Sequence, residues 1–317
     1  MDLENAPDQG HFFVRNILSS KDVVMVSFSL VDVVPSANVL GEGVQWNSQD
    51  GCFWWTDIHA AKLYRYHLHS KKISHWDLPE KLGCFAFAKN DERILAAFAS
   101  GIAWFEPESG ALEWIAKPEA HLVGNRSNDG RCDRQGRFWL GTICEQKNSP
   151  DQSAALYSLC ADGKIEQHLT GLQISNALCW SPDSRKLYHA DSPTHSIHVY
   201  DFDAPTGTLS NRQVFARTQD SIEPDGACVD AQGYVWNAQW GGSHVVRYAP
   251  DGQIDFILPM PVTQPTCVAF GGEHLNLLAV TSARIGLSDE AVQQQPQAGS
   301  LFIFQTDVTG LPESRFG

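Results

Sequence analysis

A short grammar recurs six times along this chain: a polar or small residue, a short apolar run, a turn built from Asp, Gly or Asn, and an aromatic-rich run. It is clearest between Glu223 and Gly252. There Asp225 and Gly226 precede the apolar run Ala227 to Val229, and the turn Asp230-Ala231-Gln232-Gly233 follows. Tyr234 to Ala238 then leads to Trp240, a Gly-Gly bend and a third run, Val245 to Tyr248. Short β-rich runs between Asp/Gly turns are the pattern of consecutive antiparallel hairpins. The other five units begin at Glu42-Gly-Val-Gln-Trp46, Gly83-Cys-Phe-Ala-Phe87, Asn128-Asp-Gly-Arg-Cys132, Asn176-Ala-Leu-Cys-Trp180 and Thr266-Cys-Val-Ala-Phe270.

A period of roughly 40 to 50 residues is the size of one four-stranded propeller blade. Six units therefore predict an all-β fold, a six-bladed β-propeller whose first strands line a central channel. Aligned on Asp225, the positions Glu42, Gly83, Asn128, Asn176, Asp225 and Thr266 are expected to converge near one end of that channel. A propeller closes by pairing a strand from one terminus with a blade built from the other, because an open ring leaves an unpaired edge. Val23 to Val34 is expected to pair with Leu301 to Val308 in this way. The sequence thus divides into a polar extension, residues 1–22, and a single propeller domain, residues 23–317. Met25 heads the first β-rich run and is a second candidate start. The extension lacks strand periodicity, and its removal is expected to change neither stability nor activity.

Composition narrows the partners. The 317 residues carry a formal charge of −14 without long acidic blocks, which argues against nucleic acid or an anionic membrane as partner. No segment approaches the roughly 20 apolar residues of a membrane span. No basic segment of the secretory type precedes the Val23–Val34 run, so a soluble cytoplasmic protein is expected. The eight cysteines show no C-x-x-C spacing. Cys84, Cys132, Cys179, Cys228 and Cys267 fall inside first strands and read as buried free thiols.

The common catalytic signatures, G-x-S-x-G, the P-loop, H-E-x-x-H and G-x-G-x-x-G, are all absent. His67 and His69 alternate along one run but have no third ligand in view, and they read as a solvated strand. Glu42, Asn176 and Asp225 stand out. Taken singly, each also suits a turn or a strand end. Taken together, they are two carboxylates and an amide facing one axis, which repel unless a cation lies between them. Oxygen-only ligands suit hard divalent ions such as Ca²⁺, Mg²⁺ or Mn²⁺, and three protein ligands leave positions open for water and substrate. Arg126 enters the third unit at the same end. It could be a surface cation; beside a metal site, its fork of donors would orient hydroxyls or a carbonyl.

Further ordered motifs accompany these residues. Gly41-Glu42-Gly43 is followed by Trp54-Trp55-Thr56-Asp57-Ile58, and Arg126-Ser-Asn-Asp-Gly130 by Asp133 and Gly136-Arg137. Ser175-Asn176 precedes Ser181-Pro-Asp183 and Tyr188-His-Ala-Asp-Ser192, and Pro224-Asp225-Gly226 precedes Trp236 to Arg247. Thr281-Ser282-Ala283 and Gly310 to Phe316 complete the set. From about Leu40 onward the chain resembles the SMP-30/gluconolactonase family, which includes regucalcin and bacterial sugar lactonases.

The resemblance implies a six-bladed propeller with one divalent cation (calcium, zinc, magnesium, manganese or iron) held by Glu42, Asn176 and Asp225. It also implies contacts from Arg126 and Asn128 to a sugar lactone, the small-molecule partner expected here. An acidic substrate contact of regucalcin-like members aligns nearest to Gln146, with Glu145 one place off. Val44 stands where a proline is common, and Ala177 where a glycine is common. The implied activity is metal-dependent opening of a sugar-derived lactone, of gluconolactonase or aldonolactonase type, with Asp225 accepting the proton of the attacking water. Two other readings use the same axial site: hydrolysis of organophosphates or other esters, and calcium binding without turnover.

Overall fold

Among the described residues, six antiparallel sheets form a ring, and each sheet is one blade. The structure is a computed structural model that describes residues 11–13, 27–145 and 154–317. Most of the expected N-terminal extension lies outside the described residues, as do Val23 to Val26 and Gln146. The described residues begin with β1 (His11–Phe13) and β2 (Ser27–Val34). Blade 1 is β3 (Gly41–Asn47), β4 (Cys52–Asp57), β5 (Lys62–His67) and β6 (Lys72–Asp77). Blade 2 is β7 (Leu82–Phe87), β8 (Ile94–Phe98), β9 (Gly101–Glu106) and β10 (Ala111–Ala116). Blade 3 is β11 (Asn125–Cys132), β12 (Phe138–Cys144), β13 (Ala154–Leu159) and β14 (Ile165–Leu172). Blade 4 is β15 (Ser175–Trp180), β16 (Lys186–Asp191), β17 (Ser196–Asp203) and β18 (Thr208–Arg217). Blade 5 is β19 (Glu223–Val229), β20 (Val235–Trp240), β21 (His244–Tyr248) and β22 (Ile254–Pro259). Blade 6 takes β23 (Pro265–Gly271), β24 (Leu277–Ser282) and β25 (Leu301–Thr306) from the C-terminal part, with the helix α1 (Asp289–Gln294) on the excursion before β25.

The inner strands pack side by side in the order β3, β7, β11, β15, β19, β23, and β23 returns to β3. The ring closes where β2 pairs with β25, with Val34 opposite Leu301 and Phe28 opposite Thr306. β1 pairs on the outside of β2. Phe28 is buried, stacks on Phe256 at 4.7 Å and meets the edge of Trp236 at 5.6 Å, so the closing strand also packs against blade 5. Burial explains the sequence pattern. Inner and second strands such as β7 and β8 are buried at every position, because neighbouring blades cover both faces. Outer strands such as β6 recover an alternation.

Two of the turns between first and second strands share one device. Asp133 Oδ1 accepts the backbone N–H groups of Gln135 and Arg137, while Asp133 Oδ2 accepts Trp139 Nε1 at 2.9 Å. Asp230 does the same with Gln232, Tyr234 and Trp236 Nε1. Gly136 and Gly233 close these turns at φ 87° and 88°, where an L side chain is strained. Each buried Asp is then neutralised by an arginine, Arg137 at 2.6 Å or Arg247 at 2.7 Å.

Five inner strands also share a β-bulge. In β3, β11, β15, β19 and β23, two residues oppose one on the second strand: Gly43-Val44, Asn128-Asp129, Ala177-Leu178, Asp225-Gly226 and Thr266-Cys267. The register corrects the equivalence expected from the sequence. Glu42 and Asn176 are the last paired residues before their bulges, whereas Asn128, Asp225 and Thr266 are the first residues within theirs. A bulge bends the strand and re-aims its side chains, so residues from two successive positions face the same space. Ala177 adopts φ 57°, close to the φ 60° of Gly43 at the same bulge position; that backbone is the reason glycine suits the place.

The far end of the channel is filled. Arg131 crosses it from blade 3 to the carbonyls of Val268 (2.8 Å) and Val44 (3.2 Å), and pairs with Glu313 at 2.6 Å. The segment carrying Glu313 spans that face, with Gly310 bridging to Asp230 and Phe316 to Ala88. All eight cysteines are free, and the five on inner strands are buried. No helix among the described residues is long and apolar enough to cross a membrane.

Candidate functional site

The open end of the channel gathers Glu42, Asn176, Asp225, Asn128 and Arg126. Asp225 projects from the β19 bulge, and the bulge is held by Asn237 Nδ2, which donates to the Asp225 carbonyl at 2.7 Å. The Glu42 and Asp225 carboxyls lie close enough to share a proton. Burial, and then the charge of Asp129, raise the Glu42 carboxyl above the ordinary range. Burial, and then the charges of Glu42 and Asp129, raise Asp225 further. Asp129 is itself raised by burial, although Leu178 N donates to its Oδ2 at 3.0 Å.

Asn176 has its amide orientation set by its neighbours. Ser192 Oγ donates to the Pro224 carbonyl at 2.8 Å, so it accepts from Asn176 Nδ2 at 2.9 Å. The amide oxygen is thereby turned toward Asn128, whose Nδ2 donates to it at 3.0 Å and to the Ser175 carbonyl at 3.0 Å. Arg126 is buried, which removes the surface-cation reading. Its Nη1 donates to Asn128 Oδ1 at 2.9 Å, and its Nε pairs with Glu145 Oε1 at 2.7 Å. Glu145 also meets Lys81 at 2.7 Å and His59 at 3.4 Å. The hydrogen bonds from His59, Lys81 and Arg126 hold its carboxyl well below the usual range.

Two of the six aligned positions take no part. A Cβ at Gly83 would stand 2.4 Å from the Ser127 carbonyl oxygen, so blade 2 has no room for a side chain there. The Thr266 hydroxyl is engaged by the Gly41 carbonyl and Thr281 Oγ1. The expected contact Gln146 lies outside the described residues. Two participants escaped the sequence reading, Asp129 and Ser192, and Glu145 entered it only as the neighbour of Gln146. Asp129 directly follows Asn128 and shares its bulge, and a bulge places neighbouring residues on one side. Ser192 ends the motif Tyr188–Ser192, and only the fold shows that it braces Asn176. The partners of Glu145, namely His59, Lys81 and Arg126, come from different blades or their connections.

The donor set can be tested against a divalent cation. Glu42, Asp225 and Asp129 bring three carboxyls to one buried region, where Arg126 is already paired with Glu145. Two carboxylates in apolar surroundings either retain a proton or take up a cation. Among the described residues, no three Asp, Glu, His or Cys side chains stand close enough to bind a metal by themselves. The braced Asn176 oxygen is a further oxygen donor at this end of the channel. Three oxygen donors of this kind fit a hard divalent ion.

The sequence profile of the SMP-30/Gluconolactonase/LRE-like region matches residues 40–284. The chain is 40% identical over 281 residues to the L-arabinolactonase of Azospirillum brasilense, covering 88% of this chain and 92% of that one. It is 35% identical over 286 residues to the 6-deoxy-6-sulfogluconolactonase of Pseudomonas putida, covering 90% and 97%. The crystal structure of a calcium-binding protein, regucalcin, from Agrobacterium tumefaciens superposes with a TM-score of 0.85 at 32% identity, covering 91% of this chain and 98% of that one.

Proposed function

The chain belongs to the SMP-30/gluconolactonase/LRE-like family, and from that membership we propose that it hydrolyses a sugar-derived lactone to the aldonic acid with the help of one divalent cation. The observation that supports this is the meeting of the half-buried Glu42 carboxyl and the buried Asp225 carboxyl at the end of the channel where Asn128 links the braced Asn176 oxygen to Arg126. Glu42, Asn176 and Asp225 would hold the cation, which when bound supplies Lewis-acid polarisation of a carbonyl.

The chain's own groups account for the rest. Arg126 has Nε and Nη1 committed to Glu145, Asn128 and the Ser127 carbonyl. Its Nη2 engages no hydrogen-bond partner among the described residues and is the donor offered to a lactone hydroxyl. Asn128 has both amide hydrogens engaged, so it offers only the second lone pair of Oδ1, as an acceptor. Asp225 accepts the proton of the water that attacks the carbonyl carbon. The ring C–O bond then breaks, and the leaving oxygen takes a proton to become the hydroxyl of the acid. Stripping the purified protein with a chelator is expected to abolish lactone hydrolysis, and adding a divalent ion to restore it. Undiminished lactonase activity in excess chelator would overturn the metal-dependent reading.

A further inference from the structure

A cavity of ≈ 450 Å³ opens on the same face, between blades 2 and 3. Its walls are the end of β8 with Ala99 and Ser100, the β10–β11 connection, and Arg126 itself. Arg126 is thus shared: its Nη1 holds Asn128 in the channel site while its side chain bounds this cavity. The volume falls within the roughly 300–1,000 Å³ of small-molecule pockets, and none of the roles assigned above uses it.

We propose that the cavity is a second part of the substrate site and receives the exocyclic polyol arm of an aldonolactone of six or more carbons. The proposal rests on the lactonase reading above and extends it to a substrate class. The lining suits a polyol. Leu122 and Phe98 give an apolar wall for C–H faces. Glu119 gives a fixed acceptor: its Oε1 takes Thr142 Oγ1 and Tyr157 OH, both at 3.0 Å, and its Oε2 takes Asn125 Nδ2 at 2.9 Å. A carboxylate has about four lone-pair sites, so one remains for a hydroxyl. Ser100 Oγ donates to Glu80 at 2.8 Å, and its own lone pairs are then oriented to accept. Two carboxylates, Glu80 and Glu119, and two cations, Lys117 and Arg126, share the lining, so its formal charges balance, which suits a neutral polyol arm.

The test uses two lactones of the same ring configuration, L-arabinono-1,4-lactone and D-galactono-1,4-lactone, which differ by one CHOH unit in the arm. Ala99→Leu and Ala120→Trp each narrow the cavity from a different wall and touch no hydrogen bond of Arg126. In each variant kcat/KM for the six-carbon lactone is expected to fall at least tenfold, while the five-carbon lactone stays within twofold of the unsubstituted protein. If the unsubstituted protein opens both lactones and neither variant changes their ratio, the subsite is wrong and the lactonase reading stands. If the unsubstituted protein opens only the five-carbon lactone the subsite is likewise wrong, and if it opens no lactone of a wider aldonolactone panel the lactonase reading fails and the subsite fails with it.

Discussion

Arg126 shows how much a single side chain is asked to do. It is buried, it fixes the Asn128 amide, it pairs with Glu145, and it lines the side cavity. Losing a charged hydrogen bond costs about 1.5–3 kcal/mol, so Arg126→Ala is expected to lower kcat/KM roughly 10- to 150-fold. Arg126→Lys should recover only part of this, because an ammonium cannot hold Glu145 and Asn128 at once in the planar geometry of the fork. Steady-state kinetics beside the metal Kd of each variant checks it; unchanged kinetics in the alanine variant removes Arg126 from the site. A second buried group makes a pH prediction. Burial pushes the His189 imidazole down to about 3, and its Nε2 shares a 2.8 Å hydrogen bond with Ser175 Oγ. A histidine whose folded pKa lies below its unfolded value of 6.5 contributes stability above pH 6.5 and loses it as pH falls from there toward 3. Between pH 6.5 and 5 this loss is about 2 kcal/mol. The Tm of His189→Gln should therefore fall less steeply over that interval than that of the unsubstituted protein, and identical slopes would show that His189 does not carry the effect.

At the scale of elements, the turn and the bulge matter most, and they differ in how far the sequence exposes them. The turn Asp230-Ala231-Gln232-Gly233 is legible, because an Asp that takes local N–H groups and a glycine at positive φ are local requirements. Its pairing with Arg247 is not legible, because that contact arises across the blade. Asp230→Ala leaves Arg247 buried without this partner and removes the acceptor of Trp236 Nε1. A loss of about 3–5 kcal/mol is expected for breaking a buried pair, readable as a lower urea midpoint. A midpoint within error of the original would mean that Asp255, the second partner of Arg247, suffices. The bulges explain where the sequence alignment slipped. A period of blades finds the inner strands, but it cannot show that one extra residue is tucked into each, so Glu42 and Asp225 fall in one register on paper and in successive registers in the ring. The chemistry survived the slip because the bulge turns both toward the channel. Asp129 was hidden for the same reason: strict alternation would have sent it to the opposite face from Asn128.

At the scale of the molecule, the ring depends on one seam. β2 must hold β25, and Phe28 anchors it between Phe256 and Trp236. Phe28→Ala is expected to cost about 3–5 kcal/mol, with cooperative loss of the whole propeller. A separate early transition in thermal melts, with the other blades intact, would show that the seam opens independently. The number of blades and the partners at the seam were readable from repeats and terminal strands; the packing of Phe28 on blade 5 was not, since it joins residues remote in the sequence. The seam also has a consequence in time. Ser27 and its partner Asp307 are 280 positions apart. At about 5–20 residues per second of synthesis, the first half of the seam waits roughly 15 to 55 s for its mate. Throughout that wait β2 has no β25 to pair with, and Glu42 has neither Asn176 nor Asp225 beside it until 134 and 183 further residues have been made. The ring is completed only when β25 emerges, so a ribosome that stalls before Leu301 leaves β2 without its partner and no closed circle.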